Sequence, residues 1–215
     1  MIKKYFLTAA ALLMLNISVD AQWSQLPNLS KNVISVFVSG NNLLAGTDSG
    51  MLYSTDNGNS WNPSSGINTY ANSFARDGNK LLVSSYEKLW QSTNNGVSWT
   101  ALPTIYTFQG VNNIAIKDTH YVAGLNGSGI WYSSDHGTSW TSISTSWQGR
   151  NTDMVFKKDM MFASYQGSGF LQKSTNFGKT WNESAGHGIK IGTSSSFQDI
   201  YCLAVKNDSV LIAGT

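Results

Sequence analysis

Four copies of one eight-residue pattern divide this chain at near-constant intervals: STDNGNSW at 54–61, STNNGVSW at 92–99, SSDHGTSW at 133–140 and STNFGKTW at 174–181. Their tryptophans, Trp61, Trp99, Trp140 and Trp181, lie 38, 41 and 41 residues apart. A period near 40 residues belongs to small supersecondary units that stack because none buries its apolar face alone. Every position of the pattern suits a tight turn. Asp56, Asn94, Asp135 and Asn176 have short acceptor side chains, expected to take backbone N–H groups one or two residues on. Gly58, Gly96, Gly137 and Gly178 follow two positions later, where such turns need positive φ. The tryptophans then open the next strand, with rings large enough to pack between neighbouring sheets.

Between these turns a second phrase repeats: an apolar run, a polar turn, another apolar run, a glycine-rich turn and a short strand. It reads VISVFVSGNNLLAGTDSGMLYS at 33–54, IAIKDTHYVAGLNGSGIWYS at 114–133 and YCLAVKNDSVLIAGT at 201–215. Short β-branched and aromatic runs bounded by Gly, Asn, Asp and Ser are strand and hairpin signals. No window carries a sustained 3.6-residue apolar period, so almost no helix is expected beyond the leader.

The eight-residue pattern resembles the Asp-box, or BNR repeat, of β-propellers such as sialidases, sortilin-type receptors and photosystem assembly factors. The resemblance runs from Trp23 to Thr215, with asparagine in place of the usual aspartate in two copies. It implies an all-β β-propeller of four-stranded antiparallel blades over residues 22–215, with four full blades and part of a fifth. Trp23 precedes Trp61 by 38 residues, so the segment after it reads as an outermost fourth strand without a blade of its own. Ala213-Gly214-Thr215 aligns with Ala45-Gly46-Thr47, which places Thr215 in mid-blade. The expectation is a longer natural protein, or a fragment with exposed strand edges. A calcium role for the boxes fails on donor chemistry, because those at Asn94 and Asn176 hold no carboxylate. No metal and no cofactor are expected.

Residues 1–21 read as a signal peptide: Lys3 and Lys4, an apolar stretch from Tyr5 to Leu15, and Val19-Asp20-Ala21 as a cleavage site. That stretch is shorter than the roughly 20 residues needed to span a bilayer. Cleavage after Ala21 gives a protein that is secreted, periplasmic or on the cell surface, of bacterial type, with no membrane span in the mature chain. The single cysteine, Cys202, lies in an apolar run and is expected to be a buried thiol. The net charge of +2 becomes +1 when Lys3, Lys4 and Asp20 leave with the leader. Such a chain offers no electrostatic footprint for nucleic acid, and an extracellular protein or glycan is the expected partner.

The arginines are Arg76 and Arg150 alone. Sialidases of the resembling family clamp a carboxylate with three arginines, and neither arginine here lies in that family's Arg-Ile-Pro motif. Paired carboxylates could serve other glycoside hydrolases. Asp77, Asp118, Asp159 and Asp208, however, fall at repeat-equivalent hairpin turns, where turn chemistry accounts for them. Asp153 and Asp199 each precede a first strand near the mouth of a propeller's channel, and Glu87 and Glu183 lie in connections. His120, His136 and His187 occupy dissimilar repeat positions and do not form a zinc set. The rim opposite the boxes collects Tyr70, Tyr86, Tyr106, Phe108, Trp147, Tyr165 and Phe197. With Arg150, Asp153 and Asp199 beside them, these aromatics are the candidate surface for stacking on sugars or gripping a peptide. The expected function is a non-catalytic recognition scaffold. The alternatives are part of a sialidase-like hydrolase with its catalytic residues beyond Thr215, and an assembly factor, for which the basic patch is missing.

Overall fold

A computed structural model of the chain describes residues 31–86, 88–102, 110–127, 129–143, 149–166, 171–182, 199–207 and 209–215. The leader, Trp23, Glu87, Tyr106, Phe108, Trp147, Glu183, His187, Phe197 and Asp208 lie outside the described residues.

The described chain is entirely strand and turn. Blade one is the sheet β1 (Val33–Ser39), β2 (Asn42–Thr47), β3 (Gly50–Ser54) and β4 (Asn62–Pro63). Blade two is β5 (Phe74–Asp77), β6 (Lys80–Ser84), β7 (Leu89–Ser92) and β8 (Thr100–Ala101). Blade three is β9 (Val111–Lys117), β10 (His120–Leu125), β11 (Ile130–Ser133) and β12 (Thr141–Ile143). Blade four is β13 (Asn151–Lys157), β14 (Met160–Tyr165) and β15 (Leu171–Ser174), with Asn182 bridging to Lys173 where a fourth strand would begin. The last sheet pairs β16 (Cys202–Lys206) with β17 (Val210–Gly214). Each sheet is an antiparallel meander in chain order, with two-residue turns between the first and second strands of blades one to four and the boxes between the third and fourth strands of blades one to three. Bulges near the start of β1, β9 and β13 re-aim the residues there.

Side chains alternate between the two faces of each sheet, so every blade has a rear face toward its predecessor and a front face toward its successor. Leu44 and Met51 of blade one meet Leu81, Val83 and Trp99 of blade two. Leu82 and Leu89 then meet Ile114, Tyr121 and Ala123 of blade three. Val122 and Ile130 meet Met154, Met161 and Ala163 of blade four. The core is therefore a series of interleaved layers rather than one central cluster. The box tryptophans belong to the rear faces: Trp99 is buried against blade one, while Trp140 and Trp181 pack partly buried against blades two and three.

One expectation fails at the end of this series. Cys202 is exposed. It does lie on an inner strand, but no described blade covers the front of β16.

Candidate functional site

The four boxes form one hydrogen-bonded device. Ser54 Oγ donates to Asp56 Oδ1 at 2.7 Å and accepts the N–H groups of Asp56 and Gly58 at 3.3 and 2.8 Å. Asp56 then takes the Ser60 N–H at 2.9 Å and its hydroxyl at 2.6 Å. The acidic residue thus reaches four residues forward rather than one or two. The buried serine that opens the box holds the nearer N–H groups instead. Trp61 Nε1 closes the turn on Gly58 O at 3.1 Å. With asparagine the network survives by reversing one bond: Asn94 Nδ2 donates to Ser98 Oγ at 2.8 Å, while its Oδ1 keeps the Ser98 N–H. Where the residue is acidic, the Ser60 and Ser139 hydroxyls hold the Asp56 and Asp135 carboxyls down to about 2.

All four box glycines have positive φ, and so do the residues before them: Asn57, Asn95, His136 and Phe177. The last three of these left-handed residues lean on the first hairpin of the preceding blade. Asn95 Oδ1 accepts from Ser39 Oγ at 3.0 Å, His136 Nδ1 lies 2.8 Å from Asp77 Oδ2, and Phe177 stacks on His120 at 4.5 Å. Asp77 also accepts from the Tyr121 hydroxyl at 2.5 Å, so it joins two blades as well as ending a turn. Burial pushes its carboxyl up, yet the Tyr121 and His136 contacts outweigh this and hold it below the usual carboxylate range. Arg76 donates to Ser39 at 2.8 Å and lies over Phe37, a structural position on this face.

At the other end of the first strands a second column binds each blade to the next. Ser35 Oγ donates to Ala71 O at 2.8 Å, Asn113 Nδ2 to Thr152 O at 2.7 Å, and Asp153 Oδ2 accepts Leu203 N–H at 2.7 Å. Asp153 also takes the Met154 N–H at 2.7 Å, so both its oxygens are committed to backbone. Burial raises its pKa against those two bonds. It is a blade clamp rather than a rim group. Tyr165 is fully buried against blade three rather than displayed on the rim, and burial pushes its hydroxyl pKa up. Asp199 is half-buried just ahead of Ile200.

The structure does bring three of the candidates together. Tyr70, Tyr86 and Arg150 line one cleft of about 410 Å³ with Asn72, Gly110, Val111, Asn112 and Asn126. The residues come from blades two, three and four, so the cleft exists only when the blades are stacked. Both tyrosines are exposed, at 37% and 55%. Asn112 is buried and its Oδ1 accepts from Arg150 Nη2 at 3.0 Å and from Asn72 Nδ2 at 3.4 Å. Its own Nδ2 donates to Asn151 O. A buried amide thereby fixes the guanidinium at the cleft wall and leaves its other N–H groups available to a ligand. Gly110 has φ +74, and a Cβ there would meet Tyr86 O at 2.4 Å, which keeps the floor open. No carboxylate is among the described lining residues. The three asparagines escaped the sequence reading. Asn72 and Asn112 stand one repeat apart, 40 residues, and that period was the available signal.

Stacked antiparallel blades and a cleft shared by three of them define a β-propeller scaffold. No protein-family model and no curated protein sequence match the chain. Solved structures match it in fold. The extracellular domain assigned to a one-component system of B. thetaiotaomicron is 13% identical over 86% of this chain and 26% of its own, with a TM-score of 0.65. YCF48 from Cyanidioschyzon merolae is 16% identical over 87% and 65%, with a TM-score of 0.63. The GH74 xyloglucanase of Xanthomonas campestris is 16% identical over 85% and 34%, with a TM-score of 0.62. The chain spans between 26% and 65% of the length of these three structures.

Proposed function

We propose that this protein is an exported, non-catalytic β-propeller that recognises a protein or glycan, and that recognition takes place in the cleft of Tyr70, Tyr86 and Arg150. The observation that carries this reading is the convergence of two exposed aromatic rings of blade two with a guanidinium of blade four that an amide of blade three holds in place. Aromatic faces suit sugar rings or peptide side chains, and the asparagine amides suit hydroxyl or peptide groups. A cleft of this size is in the range of small-ligand sites, about 300 to 1,000 Å³. The proposal places the protein outside the cytoplasm, after cleavage at Ala21, and the mass of the mature N-terminus tests that part.

The binding part is tested on glycan and peptide arrays, followed by titration calorimetry with whatever binds. Tyr70→Ala with Tyr86→Ala should weaken binding at least tenfold, about 1.4 kcal/mol or more, the loss expected of anchor residues. An unchanged affinity in the folded double variant would remove the cleft from the proposal. Turnover of fluorogenic sialosides or of xyloglucan polymers would instead favour the hydrolase alternative.

A further inference from the structure

Glycine follows asparagine at three places in this chain: Asn57-Gly58, Asn95-Gly96 and Asn126-Gly127. This pair is the one most prone to spontaneous ring closure, because the glycine backbone turns freely and its nitrogen meets no side chain on the way to the asparagine amide. The fold treats the three pairs unequally. Two lie in boxes, where Gly58 and Gly96 are buried and their N–H groups donate to Ser54 Oγ at 2.8 Å and Ser92 Oγ at 3.0 Å. Asn57 and Asn95 are held left-handed in the same turns, at φ 57 and 54. A nitrogen committed to a serine on a fixed backbone cannot reach the side-chain amide until the box opens. The third pair follows β10 in the turn before β11, outside any box. Asn126 is exposed, and among the described residues no side chain holds the Gly127 N–H and nothing bonds the Asn126 side-chain amide.

We propose that Asn126 is a site of self-modification, which deamidates through Gly127 and sets a carboxylate in the cleft opposite Arg150. The Gly127 nitrogen attacks Asn126 Cγ, so that an N–Cγ bond forms, the Cγ–Nδ2 bond breaks, and the Gly127 proton leaves with Nδ2 as ammonia. Water then opens the cyclic succinimide at either carbonyl and leaves aspartate or isoaspartate. Water is the one co-reactant, and nothing is oxidised or reduced. The place of the product gives it a consequence. Asn126 and Arg150 face each other in an antiparallel bridge, where Cβ atoms lie about 4.5–5.5 Å apart. Both line the cleft, and the Arg150 guanidinium makes no ion pair among the described residues. Asn112 Oδ1 holds its Nη2 at 3.0 Å, and a carboxylate at position 126 takes up the remaining N–H groups. Deamidation thus withdraws from any incoming molecule the guanidinium that the folded chain presents. The chemistry needs no ligand and is independent of what the cleft binds.

The test incubates the folded parent chain in mildly alkaline buffer and follows its tryptic peptides by mass. Cleavage after lysine and arginine puts the three pairs on separate peptides, 32–76, 89–117 and 118–150, and Asn126 is the one asparagine of the last. Peptide 118–150 should gain the mass of an amide-to-acid exchange roughly tenfold faster than the other two, or more, because only their reaction waits for a local opening. It should also separate into aspartate and isoaspartate forms. In urea, with the boxes open, the three rates should converge. Ser92→Ala frees the Gly96 N–H and should speed peptide 89–117 alone in the folded chain. The carboxyl introduced by Asn126→Asp, followed by NMR, should titrate below the ordinary value of about 3.9 and return toward it when Arg150→Gln is added. Equal rates in the folded parent, or the same preference for peptide 118–150 in urea, would overturn the proposal. So would an introduced carboxyl whose titration does not respond to Arg150→Gln.

Discussion

Asp77 and His136 meet at 2.8 Å across the boundary of blades two and three, and the Tyr121 hydroxyl reaches the same carboxylate oxygen. The turn of one blade is thereby fastened to the box of the next by a group that titrates. Tyr121 is buried, and burial with the Asp77 contact pushes its hydroxyl pKa up, so it stays a donor at any ordinary pH.

Asp77→Asn should therefore cost about 1–3 kcal/mol near neutral pH, the range for a weakened bond to a buried group. The folded pKa of Asp77 lies below its ordinary value. Its contribution is thus complete above the unfolded pKa, about 3.9, and is lost as pH falls through the folded one. Chemical denaturation of both chains from pH 7 to 2 should show curves that converge at the acid end. A gap independent of pH would mean that Asp77 contributes by shape alone.

Ser133→Ala removes the acceptor of the Gly137 N–H at 2.9 Å and the donor to Asp135 at 2.7 Å. Gly137 is buried, so about 1–3 kcal/mol of destabilisation is expected. Asp135→Asn should be tolerated, because Asn94 and Asn176 hold the same turn. Urea melts of the two variants would rank them, and a larger loss for Asp135→Asn would contradict this account of the box.

The tryptophans are chemically identical in the pattern and unequal in place. Trp99 is 3% exposed within the boundary of blades one and two, whereas Trp61 is only partly buried and lines an apolar groove with Val36, Val38 and Leu43. Trp99→Ala should cost about 3–5 kcal/mol, as large core truncations do. Trp61→Ala should cost less than half as much. Equal losses would mean that the Trp61 ring is as deeply packed as Trp99.

This inequality marks what a sequence can carry. Ser54, Asp56, Gly58 and Trp61 were legible because their partners lie within the same eight residues, so residue type and spacing contain the whole interaction. Ser35, Asn113 and Asp153 do one job with three residue types, and their partners sit in the next blade. No local pattern links them, and only the strand register brings them into one column. Asp153 therefore read as a channel-mouth acid although its oxygens are spent on backbone N–H groups. Tyr165 misled for a related reason: an aromatic at the end of an inner strand is a rim group or a core group according to what the neighbouring blade supplies. Tyr70, Tyr86 and Arg150 could each be named as candidates, but the amide of Asn112 that fixes the guanidinium follows only from the stacking of three blades.

Gln172 tests the same logic in the opposite direction. Pairing with Ala163 places it on the rear face of blade four, where Trp90, Trp131 and Leu52 stand in the other blades. It is 2% exposed, and its Oε1 has no hydrogen-bond partner. A buried carbonyl without a donor is destabilising by roughly 1–3 kcal/mol, and an apolar side chain of similar volume removes that cost while keeping the packing. Gln172→Leu should raise stability by about 1 kcal/mol and should raise the melting temperature with it. Gln172→Ala separates the two contributions, because it removes the same carbonyl but leaves a cavity and should lower the melting temperature. If leucine also lowers it, the amide is stabilising blade four, and its Oε1 must be bonded in solution.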